Sequence, residues 1–442
     1  MTTMLSESVD RITGDFRRIQ GSLPGRGTAW VDRARRNALD WFSGHGFPTA
    51  RDEDWKYTNP AAIERRPMNA VTVPSPVSPE QVSRLAFAEL PCHLVVFGDG
   101  RFDPTFSAIS ALPDGVSVRS LAEVIAHDGP RLEALLAGEP GNAFAALNLA
   151  FMTDGVVIEL SRNAVVERPI HVLYFAGQSE TSVHYRNLII ADENAQATVV
   201  EHYVGPDGSS YLTNVVTTIL GAANSSIEHY KLQQESAKAF HVAGIHATQA
   251  RNSRFTSHSI ALGGAIARND ITSRLAAEGA ECTLNGFYMV GGRQLVDHHT
   301  RIDHAKPRGT SREHYRGVLD GASRGIFNGK VMVHPDAQLT DAQQSNHNLL
   351  LSKAAEVDTK PQLEIYADNV KCTHGATVGQ LDDSMMFYLR SRGIEREVAK
   401  ALLIYAFAHD IIGRIRLDPL RHRIERHLIS MLPEGERIKE LV

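Results

Sequence analysis

The spacing of apolar residues changes twice along the chain. Val9, Ile12, Phe16 and Ile19 recur every three or four positions, and so do Trp30, Ala34, Ala38, Trp41 and Phe42. Both series trace one face of an amphipathic helix. Gly21 and Pro24-Gly25 end the first helix; Thr28 suits the N-cap of the second, and Gly44 and Gly46 lie past its end. Glu53-Asp54-Trp55-Lys56-Tyr57-Thr58 then reads as an ordered turn that packs Trp55 on the following unit. Pro74, Pro76 and Pro79 predict an extended linker. Leu94–Phe97 has the composition of a strand, and Leu121–Leu136 and Asn142–Leu147 read as short helices.

From Val156 to about residue 380 the period falls to two, in short strands separated by small or polar residues. A corner recurs at Asn194, Asn224, Asn252, Gly279, Gly321, Asp336 and Asn369, with intervals of 30, 28 and 27 and then 42, 15 and 33. These residue types tolerate the left-handed backbone of a sharp bend. Three positions beyond each corner stand Ala197, Ile227, Phe255, Cys282, Arg324, Leu339 and Cys372, which should face inward; only Arg324 breaks the series. Such a repeat predicts a solenoid of parallel strands, a β-helix in which each coil buries its neighbour. A β-sandwich also produces many short strands. Beyond it the helical period returns: a helix opens at Asp383-Ser384, Val398 to Ile415 forms a second stripe, and Asp418-Pro419 opens a third through Leu420, Ile424, Leu428 and Met431. The expected units are therefore a helical domain over 1–70, a Pro-rich linker over 71–90, a β-helix core over 91–380 and a helical domain over 381–442.

Composition narrows the function. A formal charge of −5 over 442 residues offers no general basic field for nucleic acid. No apolar run is long enough to span a membrane, and the N-terminus lacks a secretory pattern. The cysteines, at 92, 282 and 372, are too few and too scattered for a disulfide framework or for a complete iron–sulfur site. The expected location is the cytoplasm. There is no phosphate-binding Gly-x-x-x-x-Gly-Lys-Ser/Thr loop, which argues against ATP hydrolysis by this chain.

One short stretch carries metal chemistry. Cys372 and His374 are two positions apart, which places a thiolate and an imidazole on one face of a strand. Two ligands do not close a site, so a metal held there must borrow others. The plain alternative is a buried cysteine beside a hydrogen-bonded histidine. A denser patch, Asp297-His298-His299 with His304, is a weaker candidate because His298 and His299 are adjacent and point to opposite faces of a strand. Met385-Met386-Phe387-Tyr388 presents more large apolar surface than one helix stripe needs, and methionine suits an adaptable interface. It is the candidate partner-binding surface.

The stretch Phe327–Gly393 resembles the SufB/SufD family, scaffold subunits of the SUF iron–sulfur cluster assembly machinery. It includes Phe327-Asn328-Gly329-Lys330, Ala342-Gln343-Gln344-Ser345-Asn346, Asp358-Thr359-Lys360-Pro361-Gln362 and Lys371-Cys372-Thr373-His374-Gly375. The likeness extends upstream to Tyr315-Arg316-Gly317-Val318-Leu319-Asp320-Gly321 and to the Trp55-Lys56-Tyr57-Thr58 turn; that turn and Lys371-Cys372-Thr373-His374-Gly375-Ala376-Thr377 resemble the SufD branch. The resemblance implies a right-handed parallel β-helix between two helical domains and a non-enzymatic role. It further implies a heterodimer with SufB through the β-helix, and an ATPase, SufC, held by the C-terminal helices. It carries the family's cluster-assembly residues onto Cys372 and His374. Iron or a nascent cluster would be shared transiently with SufB, and none would be held tightly by the chain alone. In isolation the strand edge that expects SufB would favour a homodimer. The competing reading is a β-helical metalloenzyme using Cys372 with His374, or His298, His299 and His304. One tension is internal to the pattern: Cys372 falls in an inward-facing register, whereas a shared ligand must reach the partner.

Overall fold

The computed structural model describes residues 2–439 apart from Pro67, 87–89, Ser110, Ala137 and Glu139. Its centre is a parallel β-solenoid of about eight turns, flanked by helices at both ends of the chain. Each turn contributes one strand to each of two sheets. The first sheet runs from Val156–Leu160 to Glu356–Ile365, and the second from Ile170–Phe175 to Lys371–Gly379. The parallel register excludes the sandwich, whose sheets are antiparallel.

The turns stack because their corners do. Asn163, Asn194, Asn224, Asn252, Gly279, Arg308 and Leu339 all have positive φ, and each backbone from Asn194 to Leu339 donates to a carbonyl of the next turn. The asparagines also form a ladder: the Asn194 amide donates to Asn163, that of Asn224 to Asn194 and that of Asn252 to Asn224. Two expected members of this series belong elsewhere, and a third lacks its left-handed backbone. Gly321 lies at the opposite edge of the sheets, next to Gly292, Asp336 keeps ordinary φ, and so does Asn369. Arg308 and Leu339 take their places, and the irregular intervals disappear. Their side chains hid the corner, since neither residue type favours a left-handed backbone. Arg324 was out of series because it lies on the first sheet, while the other members of the series up to Cys282, and Cys372, lie on the second.

Three positions past the true corners stand Ala197, Ile227, Phe255, Cys282, Ser311 and Ala342, which stack in one inward column that Cys372 continues in register. The interior is aliphatic and aromatic in the early turns. In later turns it takes in Glu201, His229, Lys231, Glu235 and His241, then His298, Glu313, Gln344 and Asn346, all buried.

Each helical group covers the outer face of one sheet. Helices Thr2–Ile19, Ala29–His45 and Ala143–Phe151 pack Phe16, Trp30, Phe42 and Phe144 with Leu188, Leu212 and Phe240 of the first sheet. Helices Arg396–Ile412 and Asp418–Met431 pack Ile404, Ile411 and Ile424 with Tyr230, Phe287 and Val318 of the second. Trp55 does pack onto the solenoid side, stacking on Phe144 with the Arg268 guanidinium 3.9 Å from its ring.

Part of the expected linker is not extended. Pro79–Leu85 is a helix started by a capping box, in which the Ser78 hydroxyl accepts from the Gln81 N–H and the Gln81 amide oxygen accepts from the Ser78 N–H. Residues 87–89 of that stretch lie outside the described residues. One cap shifts, since Asp382, not Asp383, accepts from the first turn of Asp383–Ser391, while Thr28 keeps its expected N-cap position without a side-chain hydrogen bond. Among the described residues no helix is long and apolar enough to cross a membrane.

Candidate functional site

The two ends of the solenoid differ. At the first, short antiparallel strands cover it, Val116–Ser120 on one sheet and Arg101–Phe102 on the other. At the second, Glu356–Ile365 and Lys371–Gly379 are the outermost strands of their sheets, and neither has a buried residue. Ile365, Tyr366 and Val378 are exposed there. An edge of this kind offers unpaired backbone groups and an uncovered apolar rim, the usual basis of strand-to-strand association.

Cys372 and His374 lie on this last strand. In register, Cys372 follows Ala342 and packs against the interior cluster, half-buried. Burial raises the thiol pKa above its ordinary value, only partly offset by the hydrogen bond to the Ala342 backbone. A metal would therefore have to displace the thiol proton. His374, two residues on, occupies the same inward-facing side of the strand, but no further turn covers it and it is exposed. A Cβ on Gly375 would meet open space. Inward register and access to a partner are thus compatible: the column faces inward, and its final rung is the open mouth of the solenoid.

Below His374 the same column holds two buried polar residues that the sequence reading did not single out. Gln344 is its register partner and Glu313 lies one rung deeper. The Gln344 amide donates to the Glu313 carboxylate at 2.7 Å. Burial pushes the Glu313 pKa up to about 7, against the effect of that hydrogen bond. The signal that would have found them is the step of about thirty residues back from 374, once the correct corners are known.

The other histidines do not assemble. His298 is inside, between the rings of Tyr288 and Tyr315. His304 is also inside, with Nε2 2.9 Å from the Ser311 hydroxyl. His299 is on the outer face, with Nε2 3.1 Å from Asp297. Burial lowers the pKa of His298 to about 3 and that of His304 to about 4, so both are neutral near pH 7. Among the described residues no group of three or more His, Cys, Asp or Glu is arranged to hold a metal ion.

The apolar candidates are on the short helix Asp383–Ser391, which has no buried residue. Phe387 is 75% exposed and Met385 and Tyr388 are each 57% exposed. Met386 is half-buried and, with Asp383, Phe387, Arg390, Ser391 and Arg396, borders a hollow of about 480 Å³.

Comparison with known proteins agrees with this architecture. A family model described as "SUF system FeS cluster assembly, SufBD core domain" matches residues 174–407, and one described as "SufBD protein N-terminal region" matches residues 12–172. The chain is 34% identical to "Iron-sulfur cluster assembly protein SufD" of Escherichia coli, covering 89% of this chain and 91% of the relative. It is 32% identical to an "Iron-sulfur cluster assembly SufBD family protein" of Synechocystis, covering 92% of each. It is 26% identical to "Protein ABCI7, chloroplastic" of Arabidopsis thaliana, covering 91% of this chain and 86% of that one.

Proposed function

Since the chain belongs to the SufB/SufD family of SUF iron–sulfur cluster assembly proteins, we propose that it is a non-enzymatic scaffold subunit supplying half of a cluster-assembly site in the cytoplasm. The observation that carries the reading is the uncovered last turn, which puts Cys372 and His374 side by side at an open sheet edge. Two ligands at a strand edge make a site that a partner's strand completes, and iron and sulfide are its cargo. A SufB-type β-helix pairing along Glu356–Ile365 and Lys371–Gly379 would cover Ile365, Tyr366 and Val378 and bring the missing ligands. Without that partner, the same edge would pair with a second copy of the chain. The exposed helix Asp383–Ser391 would dock the SufC-type ATPase through Met385, Met386, Phe387 and Tyr388. A metalloenzyme built on His298, His299 and His304 is disfavoured by the position of those rings on opposite faces of the sheet.

The test is co-expression with SufB- and SufC-type partners, followed by iron and sulfide analysis under anaerobic conditions. The expected result is a stable ternary complex that retains iron and sulfide, and a lone chain that retains neither. A lone chain holding a full equivalent of iron, or failing to pair with SufB, would contradict the proposal.

A further inference from the structure

Buried polar atoms in folded proteins are nearly always hydrogen-bonded, so an exception close to a reactive group is informative. Gln344 is 3% exposed, and its Oε1 has no hydrogen-bond partner among the described residues. Its other amide atom is committed: Nε2 donates to the Glu313 carboxylate at 2.7 Å. Space for this amide comes from Gly329 on the opposite sheet, where a Cβ would collide with Gln344 Nε2. The amide is therefore held in one orientation, by a carboxylate on one side and the lack of a side chain on the other, and its spare atom is an acceptor. The next residue in the column is His374, at the in-register position on the last strand. Adjacent strands are about 4.8 Å apart, within reach for an amide and an imidazole on the same face.

We propose that Gln344 is a positioning residue for His374, its amide oxygen accepting the imidazole N–H once a partner covers the last turn. This deepens the scaffold reading above and rests on it. An imidazole has two distinct nitrogens, and the hydrogen bond made by one decides which is left to bind a metal. An acceptor below the ring holds the N–H toward the interior and directs the free lone pair outward, to the open mouth of the solenoid. Glu313 acts a step further away, by fixing which end of the Gln344 amide faces its own carboxylate. Glu313, Gln344 and His374 thus form a carboxylate–amide–imidazole line like the outer hydrogen bonds that orient metal-binding histidines. None of its members needs to change protonation state for the orientation to hold.

The experiment measures cobalt(II) affinity by visible absorption, on the full chain in complex with its SufB-type partner. Gln344→Met keeps the length of the side chain and removes the acceptor, and Gln344→Glu keeps an acceptor. The expected outcome is a 10- to 100-fold loss of affinity for Q344M, the range found when outer hydrogen-bond partners of metal ligands are removed. Q344E should stay within several-fold of the wild type. Combined with His374→Ala, Q344M should add nothing to the loss caused by H374A alone. A purely structural role predicts the reverse order, because a second buried carboxylate beside Glu313 disturbs folding more than a methionine does. Q344M with wild-type affinity, losses that add in the double variant, or Q344E weaker than Q344M would each overturn the proposal. Should Q344M fail to fold, Q344E alone decides by retaining or losing affinity. If H374A itself binds cobalt as the wild type does, the assignment of His374 as a ligand fails, and the positioning role with it.

Discussion

Replacing Arg268 with Met should release the Trp55 segment from the solenoid. Arg268 is 2% exposed. Its guanidinium donates to Asp270 at 2.9 Å, to the Asp54 carbonyl at 2.7 Å and to Asp297 at 2.9 Å, and its carbon lies 3.9 Å from the centre of the Trp55 ring. Asp297 is completely buried and also accepts from the Thr58 hydroxyl. The cation therefore ties Asp54 and Trp55 to the first sheet directly, and Thr58 through the Asp297 carboxylate they share. Burial opposes the Asp297 carboxylate, but Arg268, His299 and Thr58 outweigh it and hold its pKa down at about 2. That depression from 3.8 corresponds to about 2 kcal/mol. Removing one member of a buried pair leaves the other charge stranded, at a cost of about 3–5 kcal/mol, and the lost stacking on Trp55 adds about 1–2 kcal/mol. The expected loss for R268M is about 4–7 kcal/mol. It should appear as an early urea transition in tryptophan fluorescence and as new protease cleavage between Gly46 and Thr58. A loss under about 1 kcal/mol, or cleavage no faster than in the wild type, would refute the argument that this cation anchors the segment.

Three further outcomes follow from the structure. Glu313 has a folded-state pKa of about 7 against 4.5 when free, so between those values the folded chain keeps a proton that the unfolded chain has lost. Stability should fall by about 3 kcal/mol as pH rises through that window; urea unfolding of Glu313→Gln should lack this slope, and parallel curves for the two proteins would disprove it. Leu339 has φ of +62° and is 49% exposed, so Leu339→Asn should relieve left-handed strain and stabilise by about 1 kcal/mol, read as a raised melting temperature; a lowered one would count against the corner assignment. Phe387→Asp combined with Met385→Ser, on a helix with no buried residue, should leave the melting temperature unchanged while weakening SufC-type ATPase binding at least tenfold by calorimetry. Unchanged affinity would remove this helix from the docking surface.

How much of this was legible in the sequence depended on which signal each element carried. The terminal helices were readable because Phe16, Trp30, Phe42, Ile412 and Ile424 repeat at helical spacing and do form the buried faces. The solenoid was readable wherever its corners used Asn or Gly, and it was misread where Arg308 and Leu339 adopt the same backbone without the residue type that usually marks it. Cys372 could be placed in the inward column because it stands three positions after Asn369, which reads as a corner from its residue type. What the pattern could not convey was the missing turn beyond it, since alternation specifies a face but says nothing about what covers that face. Gln344 and Glu313 were hidden for a related reason: a buried polar pair has no period of its own, and its meaning comes from the rung above. The helix Pro79–Leu85 was obscured by prolines that suggest extended chain, although Pro79 takes the first helical position, where its missing N–H costs nothing.

The central claim is that Cys372 and His374 are working groups at an open edge and not parts of the core. It is tested most directly by His374→Ala and Cys372→Ser in the purified complex with SufB- and SufC-type partners, with iron and sulfide content measured beside melting temperature and complex yield. His374 is exposed, and beside it a Cβ on Gly375 would meet open space, so its removal should leave folding and pairing as in the wild type. Iron and sulfide should nevertheless fall sharply in H374A, and also in C372S if the half-buried thiol is a ligand. Full iron and sulfide content in both variants, or an H374A chain that unfolds or no longer pairs with SufB, would contradict the account.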